Sequence, residues 1–167
     1  MTGNSPVDRS KLGTKRHVLT DKNGIPLSVV ITPANTHDIK AVTDVIDNSV
    51  IKQPFVSSKP KGSRHRKHYH ICLDRAYQSK SIKQDIINRD YVLHIPYKRK
   101  RGQKTAETTR NKRCSPSENK RWVVERTNSW HNRFRKLFTR YEKKVENYLG
   151  LVQLSCSIII YRKIILG

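Results

Sequence analysis

Two runs rich in β-branched residues, Lys15-Arg-His-Val-Leu-Thr-Asp21 and Ile25-Pro-Leu-Ser-Val-Val-Ile-Thr32, flank Lys22-Asn23-Gly24. Asn-Gly supplies the left-handed backbone of a tight turn at little steric cost, so this pattern predicts a β-hairpin. Thr36 is a candidate N-cap for a helix from His37 to about Asn48, with Ile39, Val42, Val45 and Ile46 on one face. Pro54, Pro60, Gly62 and several cations mark a basic loop over about 52–68.

The next apolar run, Tyr69-His-Ile-Cys-Leu-Asp74, reads as a short strand ending in an acid. A helix from Ser79 to Asn88 and a strand Tyr91-Val-Leu-His-Ile-Pro96 follow. Strand, helix, strand in that order predicts a parallel pair joined by a helical crossover. A second polar, basic loop covers about 97–117. A long helix from about 118 to Tyr141, entered through Ser117, and a final helix from Val145 to Ile165 close the chain. The architecture expected is α/β.

With 167 residues, the length suits one domain with a modest core. Lys and Arg number 35 against 13 Asp and Glu, a formal charge of +22, which points to a polyanionic partner. The cations are not confined to one amphipathic helix, so nucleic acid is favoured over a membrane surface. Cys72, Cys114 and Cys156 are odd in number and far apart, which argues against a disulfide framework and for a reducing, cytoplasmic compartment. The apolar tail from Tyr148 to Leu166 is broken by Gln153, Ser155, Ser157, Arg162 and Lys163, so a buried helix is expected rather than a membrane span.

Two acids directly follow apolar runs: Asp74 after Ile-Cys-Leu and Glu125 after Trp-Val-Val. Sites in α/β sheets form at the carboxyl ends of parallel strands, where Asp74 would lie. Converging carboxylates hold hard divalent cations, and two such ions clamp both oxygens of an in-line phosphoryl displacement. Laid out at 100° per residue, Trp122, Trp130, Phe134, Leu137, Phe138 and Tyr141 fall in one stripe. Glu125 lies opposite with Arg121, Asn128, Asn132 and Lys136, the layout of an anchored helix presenting a metal ligand beside phosphate-binding groups. The plainer readings are a strand-end acid at Asp74 and a solvated Arg121–Glu125 pair worth about 0.3–0.5 kcal/mol.

Four segments, in order, resemble the DDE, RNase H-like transposases of bacterial insertion sequences, most nearly the insertion-sequence-five group. They are Lys11-Leu-Gly-Thr-Lys-Arg-His17 with Gly24-Ile-Pro-Leu27, then Thr32-Pro-Ala-Asn-Thr-His-Asp38, then Cys72-Leu-Asp74-Arg-Ala-Tyr77, and finally Trp122-Val-Val-Glu125 through Arg140-Tyr141-Glu142. The resemblance implies Asp74 and Glu125 as catalytic metal ligands, Mg²⁺ or Mn²⁺ as cofactor, and transposon ends and target DNA as partners. Arg121, Arg126, Asn132, Arg133 and Lys136 become candidate DNA contacts, joined by the run Lys98, Arg99, Lys100 and Arg101. Asn132 occupies the position where the family carries a lysine.

The resemblance also implies a first catalytic Asp on a central strand upstream of Lys11. The expectation is therefore a single partial RNase H-like catalytic domain over 1–167, lacking its first central strand. Such a chain would be inactive unless joined to an upstream segment. The alternative is a basic, non-catalytic DNA-binding fragment acting as a remnant or inhibitor of a full-length transposase; in either case a homodimer, or a heteromer with a full-length transposase, is the protein partner expected. Either would work in the bacterial cytoplasm at the nucleoid. A restriction-type nuclease needs an acid followed two residues later by lysine at a strand end, and Glu142–Lys144 falls in expected helix instead. His65, His68, His70 and Cys72 raise a zinc site, but a second ligand cluster at zinc spacing is missing. Tyr97, Trp130 and Tyr141 could stack on bases, although helical spacing favours core for the last two.

Overall fold

In the computed structural model, the residues described are 2–6, 9–51, 69–96 and 121–166. They fall into two compact units, Met1–Lys52 with Trp122–Gly167, and Gln53–Arg121. The architecture is mixed α/β, as expected.

The first unit is built on an antiparallel sheet in the order β1 (Gly3–Asn4), β2 (Leu12–Thr20), β3 (Pro26–Pro33). The expected hairpin is β2–β3, and its turn shows why the sequence folds here. Asp21 Oδ1 accepts from the amides of Asn23 and Ile25 at 2.8 and 2.7 Å, and Gly24 carries the reversal at φ +84°. The short β1, which pairs Gly3 with Gly13, has no sequence signal of its own.

The expected helix after the hairpin is present but begins as a 3₁₀ turn, Asp38–Ala41, before α1 (Val42–Asp47). Its cap is His37, not Thr36: the His37 ring accepts from the Ile39 amide, while the Thr36 amide is spent in a turn to the Pro33 carbonyl. Val42, Val45 and Ile46 of the predicted face are buried, while Ile39, in the 3₁₀ turn, is half-buried and Ala41 is buried in addition. Lys15 Nζ bridges Asp38 at 2.8 Å and the Thr36 carbonyl at 2.9 Å, tying this turn to β2.

The second unit holds the predicted parallel pair. β4 (Tyr69–Cys72) and β5 (Tyr91–His94) run in parallel with α2 (Lys80–Asn88) between them in sequence. Ile82 and Ile86 of α2 and Ile71 of β4 are buried.

The C-terminal part corrects one expectation. The continuous helix to Tyr141 is instead α3 (Arg121–Asn132) and a single turn, α4 (Arg135–Phe138), with Phe134 extended between them at φ −83°, ψ 106°. The break redirects the chain so that Leu137 enters the core beside Ile31, Tyr148 and Val152, with Phe134 packed against them. A straight helix would have put Phe138 where Leu137 is needed, and Phe138 is 72% exposed. The last helix, α5 (Val145–Ile164), agrees with expectation and supplies Tyr148, Val152, Ser155 and Ile159 to the interior. No helix among the described residues is long and apolar enough to cross a membrane.

Candidate functional site

The buried side of α3 is Val123, Thr127 and His131, three positions four residues apart and no more than 3% exposed. This is not the expected stripe: Trp122 is 54% and Tyr141 76% exposed. Counting only apolar residues displaced the stripe, because two of its three members are polar and buried by virtue of their partners. Thr127 Oγ1 reaches the Gly24 carbonyl at 2.7 Å, and Arg126 Nη2 donates to the Asn23 carbonyl at 2.5 Å. The hairpin turn is thereby fastened to the middle of α3. A Cβ on Gly24 would lie 3.0 Å from both Arg126 Nη2 and Thr127 Oγ1, so this close approach needs glycine.

Glu125 is exposed, about 160° round the helix from the middle of the buried stripe at 100° per residue. Asn132, seven residues on, lies about 20° from the same line and is also exposed. The helix therefore presents its acid outward while the opposite side is locked to the sheet. Arg133 and Lys136 are exposed as well. Arg121 is the first residue of α3.

Arg126 has a different place from the one expected. Its guanidinium lies over the rings of Trp122 and Trp130, at 4.7 and 5.0 Å from their centroids, and Lys163 Nζ lies 5.2 Å from the Trp130 ring. Engaged with two indoles and a carbonyl, it is a packing group within the unit. The same geometry explains how the exposed Trp122 is held without entering the core. Lys98, Arg99, Lys100 and Arg101 lie outside the described residues.

In the second unit, Asp74 follows β4 at its carboxyl end, as the sequence predicts. The Leu73 amide extends the ladder to the His94 carbonyl at 2.9 Å, and the Asp74 carbonyl opens the 3₁₀ turn Arg75–Tyr77 by accepting from the Tyr77 amide. Asp74 is half-buried. Asp74 thus belongs to one unit and Glu125 to the other. His70 and Cys72 lie exposed on one face of β4, and His70 Nδ1 meets His94 Nε2 at 2.7 Å. Among the described residues, no group of three His, Cys, Asp or Glu side chains could hold a metal ion. His65 and His68 lie outside those residues.

Four groups carry chemistry that sequence reasoning missed. His131 is fully buried with Nε2 3.6 Å from Cys156 Sγ. Burial, and after it the Arg16 charge, lowers its pKa to about 4, so the ring is neutral at physiological pH. Burial likewise pushes the Cys156 thiol up to about 11, which leaves it unreactive. Arg140 donates to Thr14 Oγ1 and the Glu142 carbonyl and covers the Tyr148 ring, pinning the chain after α4 to β2. Arg16 on β2 donates from Nη2 to Asn132 Oδ1 at 2.7 Å. None of these long-range partners leaves a local pattern in sequence.

The sequence matches the family described as Transposase DDE domain over residues 2–160. It is 29% identical over 158 residues to a Burkholderia cepacia protein named as the transposase of insertion sequence element IS402, which covers 95% of this chain and 67% of that protein. It is also 29% identical over 150 residues to the Neisseria meningitidis serogroup B transposase for insertion sequence element IS1106, covering 88% of this chain and 43% of that protein. No solved structure matches significantly.

Proposed function

The chain belongs to the transposase DDE domain family, and from that premise we propose that it forms part of the catalytic domain of an insertion-sequence transposase. In this reading the domain is RNase H-like and partial, and it cuts and joins DNA with a divalent cation held in part by Asp74 and Glu125. The observation that carries it is Glu125: an exposed acid on a helix whose opposite side is bolted to the hairpin turn. Such rigidity is what a metal ligand set against a reacting phosphate needs. The order of antiparallel hairpin, helix, parallel βαβ pair and C-terminal helices supports the RNase H-like assignment. The chain spans 67% and 43% of these relatives, so the full reaction is proposed for the assembled transposase with a third acid.

Carboxylate oxygens suit hard cations such as Mg²⁺ or Mn²⁺, and the donor chemistry of Asp74 and Glu125 fits them. When bound, such an ion polarises the scissile phosphate and makes a nucleophilic water available at neutral pH. Asn132 and Arg133, at the end of α3, and Lys136 hold backbone phosphates, and Arg121 and the run Lys98–Arg101 are further DNA contacts in this reading. Water attacks phosphorus at the element end and the 3′-oxygen leaves. The freed 3′-hydroxyl then attacks a target phosphate and displaces the target's own 3′-oxygen. The partners are transposon-end and target DNA, and a second copy or a longer transposase chain.

The competing reading is a binding-only protein. The experiment that separates them incubates the assembled transposase, this chain joined to the segment that carries the third acid, with DNA carrying the element's own ends and Mg²⁺ or Mn²⁺. Expected are metal-dependent nicking and end joining that disappear in Glu125→Gln and Asp74→Asn, with DNA affinity retained. Binding without cleavage that is indifferent to both substitutions would leave only the binding protein.

A further inference from the structure

We propose that Arg16 and Asn132 together form a binding site for a DNA backbone phosphate, placed on the Glu125 side of α3 by the first hairpin and not by the helix itself. The inference rests on the reading above that this surface receives DNA.

Arg16 pairs directly with Ile31 in the β2–β3 ladder. Residues opposite each other in an antiparallel ladder project to the same face. Ile31 is buried with Leu137, Tyr148 and Val152, so Arg16 leaves the sheet on the core side. Its aliphatic stem runs past that core and its head emerges near the end of α3, where it meets Asn132. The charge is felt by both His131 and Cys156, which locates the guanidinium between α3 and α5.

The guanidinium has five N–H donors, and its only side-chain hydrogen bond among the described residues is the one to Asn132. Nη1 is buried with no acceptor. A partly desolvated cation facing only a neutral amide is costly, and an anion meeting the exposed Nη2 side of the guanidinium, since Nη1 is covered, would offset that cost. Asn132 reinforces the choice of ligand. Its carbonyl oxygen already accepts from Arg16, and its amide nitrogen keeps two N–H donors to offer a ligand. These donors, next to the exposed Arg133 and the Arg16 charge, favour a multiply accepting anion. Seven residues separate Asn132 from Glu125, about 10.5 Å along the axis at 1.5 Å per residue. That is about three base-pair rises of 3.4 Å from the acid. Holding Arg16 in place beforehand removes much of the side-chain ordering that a surface arginine would undergo on binding.

The test measures binding of a fluorescein-labelled duplex by anisotropy over a series of NaCl concentrations, with urea denaturation of every variant. Wild type should bind with a steep salt dependence. Arg16→Gln should lower the slope of log K against log salt by about 1, the loss of one phosphate contact. Adding Asn132→Lys to that variant restores a cation at the same point and should recover the slope. Asn132→Asp separates binding from folding, because it keeps the acceptor for Arg16 and adds a charge to pair with it. It should leave the urea midpoint unchanged or higher while weakening DNA binding at least ten-fold. A merely structural Arg16–Asn132 contact would leave affinity in step with stability. Steep wild-type binding with Arg16→Gln and Asn132→Asp both unchanged would overturn the site and leave the DNA reading standing. Wild type without salt-dependent binding would overturn the DNA reading itself.

Discussion

Thr127→Val isolates the contact that fastens the hairpin to α3. Valine keeps the shape of threonine, so no cavity opens, and only the hydroxyl is lost. Thr127 is 0% exposed and its Oγ1 serves the Gly24 carbonyl at 2.7 Å, within a turn residue that is itself buried. Removing the donor costs the net hydrogen bond, about 1 kcal/mol, and strands a buried acceptor. Together these give an expected loss of about 1–3 kcal/mol. For a chain of this size that corresponds to a fall in Tm of roughly 2–12 °C. Thr127→Ser is the counterpart: it keeps the hydroxyl and gives up one buried methyl, about 0.8 kcal/mol. Urea denaturation should show the midpoint moving further for valine than for serine, with the slope unchanged in both. If serine costs as much as valine or more, the methyl and not the hydroxyl holds this joint, and the account of how α3 is positioned is wrong.

Gly24→Ala should cost about 1–2 kcal/mol for its left-handed backbone alone. The crowding against Arg126 and Thr127 adds to that, so a urea midpoint within about 0.5 kcal/mol of wild type would contradict the close approach. Arg126→Lys keeps the charge but loses the planar stack between two indoles, with an expected loss of about 1 kcal/mol and a changed tryptophan emission spectrum. His131 predicts a pH dependence. Its folded pKa of about 4 lies below the ordinary 6.5, so the unfolded chain takes up the proton first. The stabilisation is fully present above about pH 6.5 and is lost as pH falls towards 4. His17, lowered chiefly by burial, acts in the same direction. Between pH 7 and 5, wild type should lose roughly 2 kcal/mol more than His131→Gln, and equal losses in urea titrations would remove His131 as the cause.

Local chemistry made much of this molecule legible. Asn23-Gly24 announced the hairpin, the order of apolar runs announced the parallel βαβ pair, and Ile39, Val42, Val45 and Ile46 announced the face of α1. Asp74 and Glu125 could be singled out because an acid after an apolar run ends a strand or faces away from a buried helix side. What failed was the inside of α3. Trp122 and Tyr141 look like core, yet Thr127 and His131 are the residues fully buried there. Apolarity is a property of a residue, whereas burial of a polar group depends on whether a partner waits for it.

The sequence by itself determined most of the elements, though not β1 or the break at Phe134, together with the charge and the two acids, since hydrophobic periodicity, turn stereochemistry and composition act over a few residues. Tertiary structure decided which side chains became fixtures and which stayed available. Arg126 and Arg16 look equivalent along the chain. One is closed between Trp122 and Trp130, while the other is carried 116 positions to Asn132 and left with donors to spare. Hydrogen bonds and desolvation between distant segments make that distinction, and those exist only once the hairpin has met the helix.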